Sequence, residues 1–304
     1  WEHTAMSVGA ETRQFFLDDV TNAIGETFLS VPLGCARCHD HKFDPIPTRD
    51  YYRVQAALAT TQLAEVDAAH LPAENLAGFE DGRTRVERLL AKAREQKQAI
   101  HDKEDAAARQ WMDERGLEYV PRNKRNALPD DKKPPRFFGL TYQDLGTVRA
   151  LHKQIQAFTW QLDRYRPVAL AVYTGPYVER KHIISRVQPP DDTSGAPPTS
   201  HILLGGSVYS PADAVSPGVL SASAGINGAT PPSAWTTIPA GMEGRRLALA
   251  HWIANANNSL TTRSIVNRIW GWHFGRGIVA SANNFGGMGD RPTHPELLDW
   301  LTVY

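Results

Sequence analysis

Cysteine is almost missing from this chain, with two residues in 304. That excludes a small fold stapled by disulfides. No uninterrupted apolar run approaches the roughly 18 residues that a bilayer-spanning helix needs. Charge of either sign is not in excess: 33 Lys and Arg stand against 33 Asp and Glu. A nucleic-acid binder, which needs a basic surplus to neutralise phosphate, is therefore not indicated. Neither a Ser-His-Asp motif nor an internal repeat is evident. The one glycine cluster, Gly286-Gly287-Met288-Gly289, lacks the preceding strand that a dinucleotide-binding loop requires. The hydrophobic content of 41% is ordinary for a globular protein, and the length suggests about two domains. Glycine and proline concentrate in the second half, which implies long irregular stretches there. The chain starts at Trp1 and ends at Tyr304 inside an apolar helical pattern. We expect a processed or partial chain, so a missing leader says nothing about compartment.

Hydrophobic spacing predicts a mainly α fold in four parts. Residues 12–29 read as an amphipathic helix, with Phe16, Val20, Ala23, Ile24 and Phe28 on one face. Pro32 and Gly34 end it. Asp44-Pro45-Ile46-Pro47 is a rigid turn, and Thr48 is expected to cap a helix carrying Tyr51, Val54 and Leu58. These elements make a module over 1–62. Residues 63–165 read as a long antiparallel helical hairpin. Its first helix, 83–116, steps by seven through Val86, Ala93, Ile100 and Ala107. Its second, 144–165, carries Val148, Leu151, Ile155, Phe158 and Leu162. The basic, Pro-rich linker Pro121–Arg136 is expected to be a solvated loop. Residues 166–240 form a β and loop-rich region, with strands at Val168–Tyr173, Ile183-Ile184 and Ile202–Leu204. A C-terminal helical segment over 241–304 completes the chain. In it Val266, Trp270 and His273 share a face, and Thr293-His294-Pro295-Glu296 reads as a capping-box helix start.

The two cysteines stand as Cys35-Ala36-Arg37-Cys38-His39. Cys-x-x-Cys-His is the attachment signature of c-type haem. The cysteines form thioethers with the haem vinyl groups, and the adjacent His39 is the proximal iron ligand. Two other readings stay open. A thioredoxin-type redox disulfide needs a βαβ context, whereas these flanks read as helices. A zinc site using Cys35, Cys38, His39 and His41 lacks the distant second ligand pair usual for such sites.

The run Leu33-Gly34-Cys35-Ala36-Arg37-Cys38-His39-Asp40-His41-Lys42-Phe43-Asp44-Pro45, with Asp50-Tyr51-Tyr52, resembles the cytochrome-c-type domain of large secreted planctomycete proteins. The C-terminal run is similar to the companion domain of the same polypeptides. It matches in Arg245–Ala250, Val266-Asn267-Arg268-Ile269-Trp270, His273–Gly277 and Thr293–Trp300. The resemblance covers both ends strongly and the middle only in general plan. It implies export, to the periplasm or beyond, and haem c. It implies no settled reaction.

Other residues are candidates around such a cofactor. Arg37, Lys42 and Arg49 are placed to pair with haem propionates. Tyr51 and Tyr52 could wall the haem, and Arg268 could meet a propionate or a carboxylate. His273 is the leading candidate for the sixth iron ligand, with Met288 behind it. His41 reads as a propionate contact and His294 as part of a helix start. His3, His70, His101 and His152 read as solvated.

Three functions follow as expectations. The first is an exported c-type haem protein that passes electrons to a redox partner protein or a neighbouring haem domain, with a homo-oligomer also open. The second is a haem-dependent oxidoreductase, with carbohydrate-related substrates suggested by association alone. The third is a structural surface protein with a zinc-stapled loop.

Overall fold

A computed structural model describes residues 8–178, 187–224 and 234–303. The fold is mainly helical, with two small sheets and long loops, as the hydrophobic spacing predicts. The described residues divide into two compact units. Residues 8–65, 170–178, 187–224 and 234–303 form one, and 66–169 form the other. The module, the β and loop-rich region and the C-terminal helices expected as separate parts thus share one unit. The hairpin stands by itself as the second.

In the first unit, α1 (Gly9–Ile24) runs into a wider π turn, Gly25–Leu29. Gly25 is required there, because a Cβ would stand 2.6 Å from both Leu33 Cγ and Val31 O. The face of α1 is as expected in part: Phe16, Val20 and Ile24 pack half-buried against the core. Its buried line is Gln14, Leu17, Asp18 and Thr21, while Phe28 is 47% exposed. The reason lies in α2 (Thr48–Leu58), which meets α1 with the polar groups of Tyr51 and Gln55 as well as with apolar ones. Almost all of α2 from Asp50 onward is buried, because it packs on α1, on β3 (Ser200–Leu203) and β4 (Pro211–Val215), and on α6 (Arg245–Ile253). Thr48 does not cap α2. It is the first helical residue, and its N–H is taken by the Asp40 carboxylate at 2.8 Å.

Strands β3 and β4 pair antiparallel, with Ser200 opposite Val215, His201 opposite Ala214 and an irregularity before Leu203. β4 carries no strand-like pattern and was not expected. β1 (Thr61–Asp67) pairs with β2 (Val168–Thr174), the strand expected at 168–173. The expected Ile183-Ile184 strand lies outside the described residues. After the short α5 (Ser221–Ala224), helices α6, α7 (Ser259–Phe274) and α8 (Pro295–Val303) follow. Arg245 is 3% exposed and ties α6 to α2 through a bond to Ala56 O at 2.9 Å. Thr293 does not cap α8. Its hydroxyl donates to Ile278 O at 3.2 Å instead.

The second unit is the hairpin, α3 (Phe79–Asp113) against α4 (Tyr142–Asp163). Val86, Leu90, Ala93 and Leu151 are buried along it. Thr141 and Asp144 form a capping box at the start of α4. Most of the linker is exposed, as expected of a solvated loop. It folds back on α3, where Arg125 is 7% exposed and pairs with Asp105, which Tyr119 also reaches. Burial works to raise the Asp105 pKa, but these two partners outweigh it and hold the carboxyl below its ordinary range. Gly139 closes the linker so tightly that a Cβ would meet Ala107 Cβ at 2.3 Å.

Candidate functional site

The Cys-x-x-Cys-His run begins on a 3-10 turn, Leu33–Arg37, between α1 and α2. Burial alternates with purpose along it. Leu33 and Ala36 are fully buried and pin the turn to the core. Cys35, Cys38 and His39 face outward, and both thiols are free. No βαβ arrangement surrounds them, so the thioredoxin-type reading lacks its context.

His39 is held by the backbone beside it. Its Nδ1 lies 2.8 Å from Asp40 O. A carbonyl only accepts, so Nδ1 carries the proton and the Nε2 lone pair is left free. Metal-ligating histidines are fixed in this manner, by a backbone or carboxylate partner on the other nitrogen. His41 behaves differently. Its side chain is 5% exposed, and its Nδ1 accepts the backbone N–H of Asp44 at 3.0 Å. It shapes the loop from within and is not a surface group. Among the described residues no group of three or more His, Cys, Asp or Glu side chains gathers as a metal cage.

Beneath the turn lies a buried carboxylate that pattern reading passed over. Asp18 Oδ1 accepts from Gln14 Nε2 at 2.8 Å, Tyr51 Oη at 2.8 Å and Gln55 Nε2 at 2.9 Å. Its Oδ2 is ion-paired with Arg37 Nε at 3.2 Å. Arg37 also donates to Gly206 O at 2.9 Å. Tyr52 donates to Arg37 O at 2.9 Å. Tyr51 and Tyr52 are 0% and 1% exposed, and burial beside Asp18 pushes the Tyr52 phenol up to about 12. Both rings support the turn from inside and do not reach its outer face, while the Arg37 guanidinium, with a side chain 29% exposed, bridges Asp18 and Gly206 O. An aspartate on an otherwise amphipathic helix gives no periodic signal. Only its position opposite two tyrosines would have revealed it.

Two glycine-bearing loops border the outer face. Gly206 has φ +74, and a Cβ there would stand 2.8 Å from Arg37 Nε and 3.2 Å from Cys38 Sγ. Gly287 N donates to Asp44 Oδ1 at 2.7 Å, and Gly286 leaves no room for a Cβ beside the same carboxylate. Three large apolar side chains stand exposed on the bordering segments: Phe43 at 53%, Leu204 at 61% and Met288 at 65%. Lys42 lies over the Phe43 ring at 5.2 Å, and Arg49 makes an exposed pair with Asp213 at 3.1 Å.

The remaining candidates fall elsewhere. Arg268 donates to Glu26 O and Asn283 Oδ1, both at 2.9 Å, and so holds the π turn to the C-terminal segment. His273 is exposed, contrary to the inward position that its helical spacing suggests. The face it shares with Val266 and Trp270 is only half-buried against α8, and the last turn of α7 runs past that cover. The buried positions of α7 are polar, Ser264 and Asn267. Asn267 clasps the Val279 backbone, donating to its carbonyl at 3.0 Å and accepting its N–H at 2.7 Å. His294 is exposed at the entry to α8, and His70, His101 and His152 lie in the hairpin unit. His3 lies outside the described residues.

Comparison with known families finds two matches. Residues 1–63 match a family described as a protein of unknown function, DUF1549, and residues 245–304 match another, DUF1553. The two matches cover the two ends of the chain, and the stretch between them matches neither. Neither description assigns a cofactor or an activity. No curated protein and no solved structure matches the chain. The paired segments meet in the first unit. Ser30 Oγ lies 2.7 Å from Ser264 Oγ and from Ala282 O, and Phe285 N donates to Ser30 O at 2.7 Å.

Proposed function

We propose that this chain is an exported c-type haem protein that transfers electrons, the haem being held by Cys35, Cys38 and His39. The observation that carries the reading is the donor set. Two free thiols face outward on a turn pinned to the core, beside an imidazole whose Nδ1 is anchored and whose Nε2 is free. Bound there, haem supplies a one-electron iron couple whose potential depends on axial ligands and burial. Cys35 and Cys38 would hold it through thioethers, and His39 Nε2 would hold the iron. Lys42 and Arg49 are the exposed cations of this segment able to pair with propionates. The outward placement suits docking against a redox partner protein or a neighbouring haem domain in the periplasm or outside the cell.

The zinc-stapled reading asks His41 to turn outward, which its buried, hydrogen-bonded ring opposes. One observation favours the oxidoreductase reading. A hollow beside α6 in the same unit is lined by Trp235, Thr237, His251 and Asn255, a mixture of ring and polar groups suited to a small polar substrate.

The test is the alkaline pyridine spectrum of protein made with c-type maturation machinery. The expected result is a haemochrome with two thioethers, which shifts toward the one-thioether form in Cys35→Ala or Cys38→Ala. Purified protein with zinc and no Soret band would overturn the proposal.

A further inference from the structure

The hairpin unit holds a cleft of its own, between one face of α3 and the linker that folds back on it. Its volume is about 980 Å³, at the upper end of the range for small-molecule sites. On the α3 side His101, Asp105 and Ala108 line it at spacings of four and three, so they share one helix face. Arg136, Phe137 and Phe138 line it from the linker.

The carboxylates of the cleft are already engaged. Asp105 is held by Arg125 and Tyr119. Glu104 Oε2 accepts from Arg122 Nε at 3.0 Å, and Asp102 Oδ1 accepts from Gln98 Nε2 at 2.7 Å. Two donors are left over. Among the described residues Arg136 meets no carboxylate, and its guanidinium lies over the Phe137 ring at 4.8 Å. His101, expected to be solvated, is half-buried. Its Nδ1 lies 2.7 Å from Arg122 Nη1. A guanidinium only donates, so Nδ1 accepts and the neutral ring carries its proton on Nε2. Burial first, then Arg122 and Lys97, lower the His101 pKa from its ordinary value and favour that neutral ring. Nε2 is itself buried and has no partner among the described residues. A buried N–H without an acceptor costs stability, and one bordering a cleft calls for a ligand that supplies the acceptor. Phe137 adds backbone strain at the same place. It stands at φ +62, which a bulky side chain adopts only where its surroundings impose it. Phe137 and Phe138 stay 38% and 37% exposed.

We propose that this cleft binds a small aromatic carboxylate, with Arg136 and the His101 Nε2–H as donors to the carboxylate and the two phenylalanine rings as the wall for its ring. The cleft lies wholly inside the 66–169 unit, so the proposal stands apart from the haem reading.

The probe is benzoate, titrated onto the full chain at fixed ionic strength and read by saturation-transfer NMR. A ligand of this size is expected to bind with a Kd of about 1 mM. Arg136→Gln should weaken it about tenfold and His101→Ala about fivefold. His101→Gln keeps an N–H donor and should retain most of the affinity. Arg88→Gln, which removes an exposed cation of α3 outside the cleft, should match the wild type. Arg136 is exposed, so its loss leaves the fold intact, as an unchanged helix signal will show. Benzoate that fails to saturate by about 20 mM overturns the site. So does equal binding to the wild type, Arg136→Gln and His101→Ala. Benzamide binding as tightly as benzoate overturns the role of the carboxylate. Cyclohexanecarboxylate binding as tightly overturns the role of the ring, and displacement by an equal concentration of sulfate overturns both.

Discussion

Replacing Asp18 with alanine removes the one carboxylate that four donors beneath the Leu33–Arg37 turn share. The carboxylate is 4% exposed, and Gln14, Tyr51, Gln55 and Arg37 all point at it. A hydrogen bond to a charged group contributes about 1.5–3 kcal/mol, and breaking a buried ion pair about 3–5 kcal/mol. These do not add. Gln14 already lies 3.2 Å from Gln55 Oε1 and can rebond there. Arg37, with a side chain 29% exposed, can turn to water, so its share is discounted. We expect a net loss of about 3 kcal/mol. In urea, with a slope of about 2 kcal/mol per molar, the midpoint of the first unit falls by about 1.5 M. Asp18→Asn keeps one acceptor oxygen and should lose about half as much. A double-mutant cycle with Arg37→Ala isolates the ion pair, for which about 1 kcal/mol is expected. A loss below about 1 kcal/mol in Asp18→Ala would refute the view that this carboxylate organises the turn.

Three further outcomes are expected. Gly286→Ala places a methyl group on the Asp44 carboxylate, so the first unit should lose about 1–3 kcal/mol by thermal unfolding. An unchanged midpoint would mean that the loop does not dock there. Thr141→Ala removes the capping box of α4 and should cost the hairpin about 1 kcal/mol, read by helix signal against urea. The Tyr52 phenol is raised from 10.0 to about 12 in the fold, so above pH 10 the unfolded chain binds fewer protons than the native one. Its contribution is complete below pH 10 and is lost between pH 10 and 12. A wild type whose stability does not fall across that window, with Tyr52→Phe as the comparison, contradicts the burial argument.

The parts of the fold that repeat in sequence were legible, and the parts held by single polar groups were not. The long helices α3 and α4 follow from apolar steps of three, four and seven, because a helix must bury one stripe. The face of α1 is legible only in part, because beside Phe16, Val20 and Ile24 its inward stripe carries Gln14 and Asp18, whose partners come from α2. Hydrophobicity cannot signal a buried carboxylate that is stabilised only by what meets it. His273 failed for a related reason. Periodicity fixes direction around a helix axis, but not how far along the axis the cover extends. The linker is solvated as its charges suggest, but the anchoring of Arg125 on Asp105, which Tyr119 also reaches, carries no signal in sequence. Cys35, Cys38 and His39 of the candidate site stand next to one another in the chain, so their grouping is legible in sequence. Its supports, Asp18, Gly206 and Asp44, come from elements that only folding brings together.

That distinction bears on why two matched segments so far apart in the chain share one unit. Each supplies what the other cannot make alone. The 1–63 segment ends its π turn on Ser30, held at φ +52, an uncommon angle for a residue with a side chain. The Ser30 hydroxyl bonds with Ser264 and Ala282 on the far segment, and its carbonyl accepts from Phe285. In return Asp44 takes the N–H of Gly287 and seats the loop that carries Met288. Local sequence in either segment would leave these backbone groups to water. The contacts are short, specific and mutual, so each segment fixes a turn of the other. Separating the segments as two polypeptides should therefore leave the 1–63 piece unable to hold its turn. Adding the 245–304 piece should restore little unless α2 also keeps its cover from β3, β4 and α6.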